Sequence, residues 1–334
     1  MSTIADVAAR AGVSKATASR ALSGRGYVSD GTRNRVKVAA RALSYVAHSS
    51  ATSLATGRTN TVGVLLPPVG RWFFSELLTG VQDALLDHGY DLALFGVPEH
   101  SRPRRQAIDD VLPRRRFDGI IAVGVQPGSE EMSHLLALDR PIVSVGARCA
   151  DASAVTIDDT AAARIATEHL IDLGHTEIAF VGGDSEGRSS SSGDAFRLEG
   201  YRAAMDAAGL DDRARVTPAS GTMPSGYEAA VELLGNRRTR PTAVVGVCDE
   251  VAIGAVIAAR RLGIAVPTEL SVVGIDDHQH AEMFALTTIR QQPREQGREA
   301  VRILMHQLDD PDAEREHLVA ASALVVRNSS AAPR

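Results

Sequence analysis

The sequence predicts an all-α helix-turn-helix head over residues 1–46, joined through a linker at 47–60 to an α/β body with parallel sheets over 61–334. Three observations predict it. Short Ala-rich segments with helical spacing and capping residues fill the head. From Thr61 onward, apolar runs of four or five residues alternate with helical segments, the pattern of parallel sheets covered on both faces. Charge divides at the same place. Residues 1–60 hold nine basic and two acidic residues, a net of +7, and the remaining 274 hold 27 and 39, a net of −12. A basic head on an acidic body implies that only the head meets phosphate, although the whole chain carries −5.

The head reads as three helices. Thr3 caps the first, with Ile4, Val7, Ala8 and Ala11 on one face, and Gly12 ends it. Ser14 caps the second, residues 15–22, whose inner face is Ala18, Ala21 and Leu22. Ser29 caps the third, 30–43, with Val36, Ala39, Ala40 and Leu43 inward. Two short helices across a Gly-containing turn make a helix-turn-helix, whose second helix enters the major groove. Its outward residues are Lys15, Ala16, Ser19 and Arg20. Arg20 and Lys15 suit guanine O6 and N7, and Ala16 suits a thymine methyl. Ser14 and Thr17 suit phosphate near the helix N-terminus. Thr3, Ser29 and Arg33 complete the candidate DNA contacts.

In the body, strands are predicted at 62–66, 91–95, 119–123, 142–145, 178–181, 243–247 and 271–275, with helices at 75–88, 102–112, 130–138, 161–173, 197–208, 225–234, 249–262 and 294–308. Ligands of such sheets sit beyond the carboxyl ends of the strands. Phe73 and Phe74 follow the first strand, and Asp276 and Asp277 follow the strand at 271–275. Asp249 and Asp277 read as helix caps, and Arg197 reads as the first residue of its helix.

The segments TIADVAARAGVSKATASRAL, VSDGTRNRV, LSYV and SLATGRTNTVGVLLP resemble the N-terminal signature of the lactose-repressor (LacI/GalR) family, and the resemblance extends along almost the whole chain. It implies a periplasmic-binding-protein type I body of two lobes, about 61–159 with 291–318 and about 160–290 with 319–328, the last strand at 324–326 lying in the second. It implies that Lys15, Ala16 and Arg20 read bases, and that a hinge helix near 48–55 orders on DNA, with Leu54 wedged into the central base step. It implies that Phe73, Phe74, Arg197, Asp249 and Asp276 bind a small-molecule effector, with sugars and nucleosides the commonest classes and sugar the default. The chain departs from the family at Ala47 and His48, where Pro-Asn is frequent, at Gly146, where sugar binders often carry Asp, and at Cys248, where Asn is frequent. The Ser-rich loop 183–194 reads as an effector lid or a solvated insertion.

The implied function is a sequence-specific transcriptional regulator, acting as a repressor. It binds a pseudo-palindromic operator as a homodimer, since no leucine repeat follows residue 328. A solute-binding protein without a DNA role is the alternative, and an α/β enzyme a third reading. No hydrolase elbow, HExxH or phosphate-cradling motif appears, and Cys149 and Cys248 are too few for a disulfide framework or a zinc site. No catalytic residue, metal or cofactor is therefore expected. With no apolar run long enough for a membrane span and no secretion signal, a cytoplasmic protein is expected.

Overall fold

A computed structural model of the chain describes residues 2–23, 27–45, 58–96, 101–113, 117–125, 129–183 and 192–334. Leu54 and most of the Ser-rich loop lie outside the described residues. The chain divides into two units, Met1–Asn60 and Thr61–Arg334.

In the first unit, helix α1 spans Ile4–Ala11, α2 Lys15–Ser23 and α3 Asp30–Ala42. Each start is fixed by a side chain that takes an orphan backbone N–H. The Thr3 hydroxyl accepts from Asp6 N while the Asp6 carboxylate accepts from Thr3 N, a reciprocal capping box. Ser14 Oγ accepts from Thr17 N at 3.1 Å, and Ser29 Oγ from Thr32 N at 3.4 Å. Gly12 ends α1 in the left-handed conformation, φ 65° and ψ 39°, which costs a residue without Cβ little. The three helices close on Val7, Ala8, Ala11, Ala18, Ala21, Val36, Ala39 and Ala40. The alanines let the helix axes approach, and complete burial of Val7 and Val36 contributes ~1.5–3 kcal/mol each.

The second unit holds two six-stranded sheets. The first is built from β1 (Thr61–Leu66), β2 (Asp91–Gly96), β3 (Gly119–Val123), β4 (Ile142–Val145), β5 (Ser153–Thr156) and β11 (His317–Val319), in the order β2-β1-β3-β4-β5-β11, all parallel. The second has β6 (Ile178–Val181), β7 (Arg215–Thr217), β8 (Ala243–Gly246), β9 (Ser271–Asp276), β10 (Thr287–Arg290) and β12 (Ala323–Val325), in the order β7-β6-β8-β9-β10-β12. Only β12 is antiparallel, pairing Thr288 with Val325. The chain finishes the first lobe's strands through β5, builds the second lobe, returns for β11 and ends in the second sheet on β12. Near-continuous burial of β3, β4, β6, β8 and β9 is what helices on both faces of a parallel sheet require.

The helices of the body are α4 (Trp72–Asp87), α5 (Arg102–Gln106, running into a π-helical turn at Ala107–Val111), α6 (Glu130–Leu136), α7 (Asp159–Asp172), α8 (Ser192–Ala207), α9 (Met223–Gly235), α10 (Asp249–Arg261) and α11 (Pro293–Asp309). Helix α11 packs on α4 and on β3, β4 and β5, which ties the returning chain to the first lobe. The two helices meet backbone to backbone. A Cβ on Gly80 would lie 2.0 Å from the Arg294 carbonyl oxygen, and one on Gly297 would lie 2.4 Å from that of Leu77.

Two helices start three or more residues earlier than their sequence signals. Helix α4 begins at Trp72 rather than 75, because its N-cap, Arg71, makes no side-chain capping bond that would mark the start. Helix α8 begins at Ser192, so Arg197 sits in its second turn and not at its first residue.

Candidate functional site

Two separate surfaces gather the candidate residues. On the head, Lys15, Ala16, Ser19 and Arg20 are exposed along one side of α2, while Ala18 and Ala21 are buried on the other. The hydroxyls of Ser14 and Thr17 share a 2.9 Å hydrogen bond at the start of that helix. Arg20 Nε donates to the Ala16 carbonyl at 3.3 Å, which lays the guanidinium along the helix. Thr3 and Ser29 are exposed caps of their helices, and Arg33 is half-buried on α3.

In the body, a cleft opens at the carboxyl ends of β1, β3, β4, β9 and β10. The first lobe contributes Arg71, Phe73, Phe74, Gly124 and Gly146. The second lobe and the crossing segments contribute Asp159, Asp194, Arg197, Asp276 and Gln291, and α11 of the first lobe contributes Gln296. Of the predicted effector residues, Phe73, Phe74, Arg197 and Asp276 thus line one cleft. The two phenyl rings stand edge to face, with centroids 5.5 Å apart. Arg197 is buried, donating from Nε to Asp159 Oδ1 at 2.8 Å and from Nη1 to the Val247 carbonyl at 2.7 Å. Its Nη1 also lies 3.9 Å from Asp276 Oδ1. Asp276 Oδ1 accepts from Gln291 Nε2 at 2.6 Å, and Gln291 Oε1 accepts from Gln296 Nε2 at 3.1 Å. This relay runs from the second lobe through the crossing segment to α11. The chain bends sharply after β9, with φ of 140° at Asp276 and 58° at Asp277. Non-glycine residues hold such angles only where their surroundings enforce them, a feature of ligand sites.

Burial pushes the carboxyl pKa values of Asp159, Asp276 and Glu250 upward, and neighbouring carboxylates push the same way. The guanidinium groups of Arg197 and Arg71 oppose the shift. Removing water disfavours the charged form, so each carboxylate here depends on its cationic and hydrogen-bonding partners.

Asp249 does not line the cleft. Its side chain is fully buried, accepting from His278 N at 2.7 Å and Thr288 Oγ1 at 2.6 Å. It fastens the bend after β9 to β10. Nor does it cap α10, whose N-cap position is Cys248, without a side-chain capping bond. Asp277 is likewise no helix cap. Its two carboxylate oxygens accept from Arg290 Nε and Arg327 Nη2, each at 2.7 Å.

Arg71, Asp159, Gln291 and Gln296 were missed at the level of sequence. For Arg71 a signal existed: it is a lone charge in an apolar stretch beyond the end of β1, where ligands of α/β sheets sit. It reaches across the cleft, with Nε 3.6 Å from Glu250 Oε2 and Nη2 3.8 Å from Cys248 Sγ.

Residues 3–48 match the family model described as bacterial regulatory proteins, lacI family. Residues 167–330 match a periplasmic binding protein-like domain. The ribose operon repressor of Escherichia coli (strain K12) is 31% identical over 337 residues, covering 99% of this chain and 100% of that one. The chain belongs to the LacI family. Among solved LacI-family structures, the lac repressor dimer bound to operator and the anti-inducer ONPF matches with TM-score 0.86 and 26% identity, over 99% of each chain. A LacI family regulator from Enterococcus faecium with bound ribose matches with TM-score 0.73 and 27% identity, over 82% of this chain and all of that one. A DNA-binding transcriptional regulator with a small-molecule site in its body is the function that goes with this family. Among the described residues, no helix is long and apolar enough to cross a membrane.

Proposed function

We propose that this LacI-family regulator is a cytoplasmic repressor that reads a pseudo-palindromic operator as a homodimer and is controlled by a sugar in its interlobe cleft. The observation that carries the effector half is the convergence of Phe73, Phe74, Arg197 and Asp276 on one cleft at the strand ends. Aromatic faces cover the apolar face of a sugar ring, while charged and amide groups take its hydroxyls. The DNA half rests on the exposed row Lys15, Ala16, Ser19 and Arg20; in this reading Thr3, Ser14, Thr17, Ser29 and Arg33 place the head on phosphate, and Leu54 takes the minor-groove role that the family resemblance implies. The name of the ribose operon repressor and the ribose held by the Enterococcus faecium regulator support the sugar class. The protein does this without catalysing a reaction, as a binding switch. A ligand shifts DNA affinity only through unequal affinity for the DNA-competent and DNA-free states.

The test is fluorescence anisotropy of labelled operator with the full chain, titrated with a panel of neutral pentoses, hexoses and disaccharides and with their phosphate esters. Release by a panel compound supports the reading. Operator affinity unmoved by the whole panel overturns the sugar class.

A further inference from the structure

We infer that Arg71 is the specificity-determining arginine of the cleft, donating hydrogen bonds to an uncharged oxygen of the effector. The inference rests on the sugar-effector reading above.

The two arginines of the cleft stand in different states. Arg197 has Nε and Nη1 committed to short bonds with Asp159 and the Val247 carbonyl. Arg71 also places its guanidinium at the cleft, with a side chain only 24% exposed. Yet its contacts are poor. Nε is buried without a hydrogen-bond partner, and the nearest carboxylate oxygen, on Glu250, is 3.6 Å away. Nη2 reaches only the Cys248 sulfur, at 3.8 Å. The guanidinium also lies against the Phe74 ring, whose centroid is 5.2 Å from its carbon, and against Gly221, where an added Cβ would stand 3.0 Å from that carbon. A guanidinium has five N–H donors in a rigid fork. Leaving Nε unmet in a largely buried position is unfavourable, and a ligand that meets it gains that energy on binding. A site built around an unmet polar group rejects analogues that lack its partner far more strongly than an apolar pocket rejects a wrong shape.

The charge around Arg71 says what kind of oxygen it takes. Among the described residues, the carboxyl groups of Asp159, Asp194, Asp276 and Glu250 gather at the cleft against the guanidinium groups of Arg71 and Arg197. The positive charge of Arg71 is already matched by Glu250 and the aspartates; what it lacks is hydrogen-bond acceptors. A hydroxyl, ring or carbonyl oxygen supplies these without adding a negative charge beside the carboxylates. A phosphate brings up to two charges into that field.

The experiment compares Arg71→Met with Arg197→Met in the full chain. In thermal denaturation without ligand, Arg71→Met keeps or raises Tm, because its buried Nε bonds nothing and its other polar contacts are long, and Arg197→Met lowers it. An equal loss in the two variants overturns the inference and makes Arg71 a strut between the lobes. With the sugar that releases operator from the wild type, Arg71→Met weakens binding by about tenfold to a hundredfold, and Arg71→Lys restores part of the loss. Unchanged sugar affinity in Arg71→Met overturns the inference. Release by phosphate esters alone overturns the uncharged oxygen. If no panel compound releases operator, the sugar reading fails, and the thermal comparison still judges Arg71 by itself.

Discussion

The indole of Trp72 and the imidazole of His278 lie 4.9 Å apart and tilted by 50°, one ring from each lobe. His280 N donates to His278 Nδ1 at 3.0 Å, which leaves the imidazole proton on Nε2. Burial first and the nearby His280 second push the His278 pKa down to about 4, against the opposing Glu76. Asp249 faces the same residue through its backbone N–H. In the unfolded chain the imidazole titrates near ~6.5, so between there and about 4 the unfolded state binds the extra proton. The contribution is full above that window and is lost as pH falls through it. His278→Phe keeps a ring against Trp72 and removes the titration. Urea midpoints read through Trp72, the sole tryptophan, should show the wild type losing stability relative to His278→Phe from pH 7 to pH 4. A pH-independent difference contradicts the assignment.

Asp159→Ala strands the buried Arg197 guanidinium and should cost ~3–5 kcal/mol in urea denaturation. Replacing both partners with apolar residues, Asp159→Leu with Arg197→Met, should recover much of that loss. A single variant as stable as the wild type would remove the pair from the core of the cleft.

Gly80→Ala forces a methyl group against the Arg294 carbonyl and should destabilise the first lobe by ~1–3 kcal/mol, since neither helix backbone yields easily. Gly96→Ala, with nothing within 4 Å of the added carbon, is the matched control and should be close to neutral. Equal stabilities would mean that α4 and α11 separate freely.

Arg20→Ala should cost ~1–3 kcal/mol in operator binding and relax one base position in each half-site. Its Nε bond to Ala16 already orders the side chain along α2. An unaltered base preference in competition binding would exclude Arg20 from the readout.

The head was legible because its signals are local: Thr3, Ser14 and Ser29 cap the helices that follow them, and Gly12 turns the chain where the period breaks. The buried strands β1, β3, β4, β6, β8 and β9 were legible as apolar runs. Strands β5, β7, β10 and β11 are three or four residues long and owe their existence to a neighbouring strand, which a linear pattern does not register. The cleft was legible from strand ends at Phe73, Phe74 and Asp276, and family resemblance added Arg197. Arg71, Asp159, Gln291 and Gln296 come from distant segments that meet only when the two lobes have formed. Asp249 misled because closeness to a strand end does not reveal which way a side chain turns, and this one turns inward to Thr288.

Selection of bound sequences from random DNA by the purified full chain, without added ligand, tests the central claim most directly. A repressor of this design enriches a pseudo-palindrome whose two half-sites are read by two copies of α2. Absence of any enriched sequence at moderate salt, from folded protein, would contradict it.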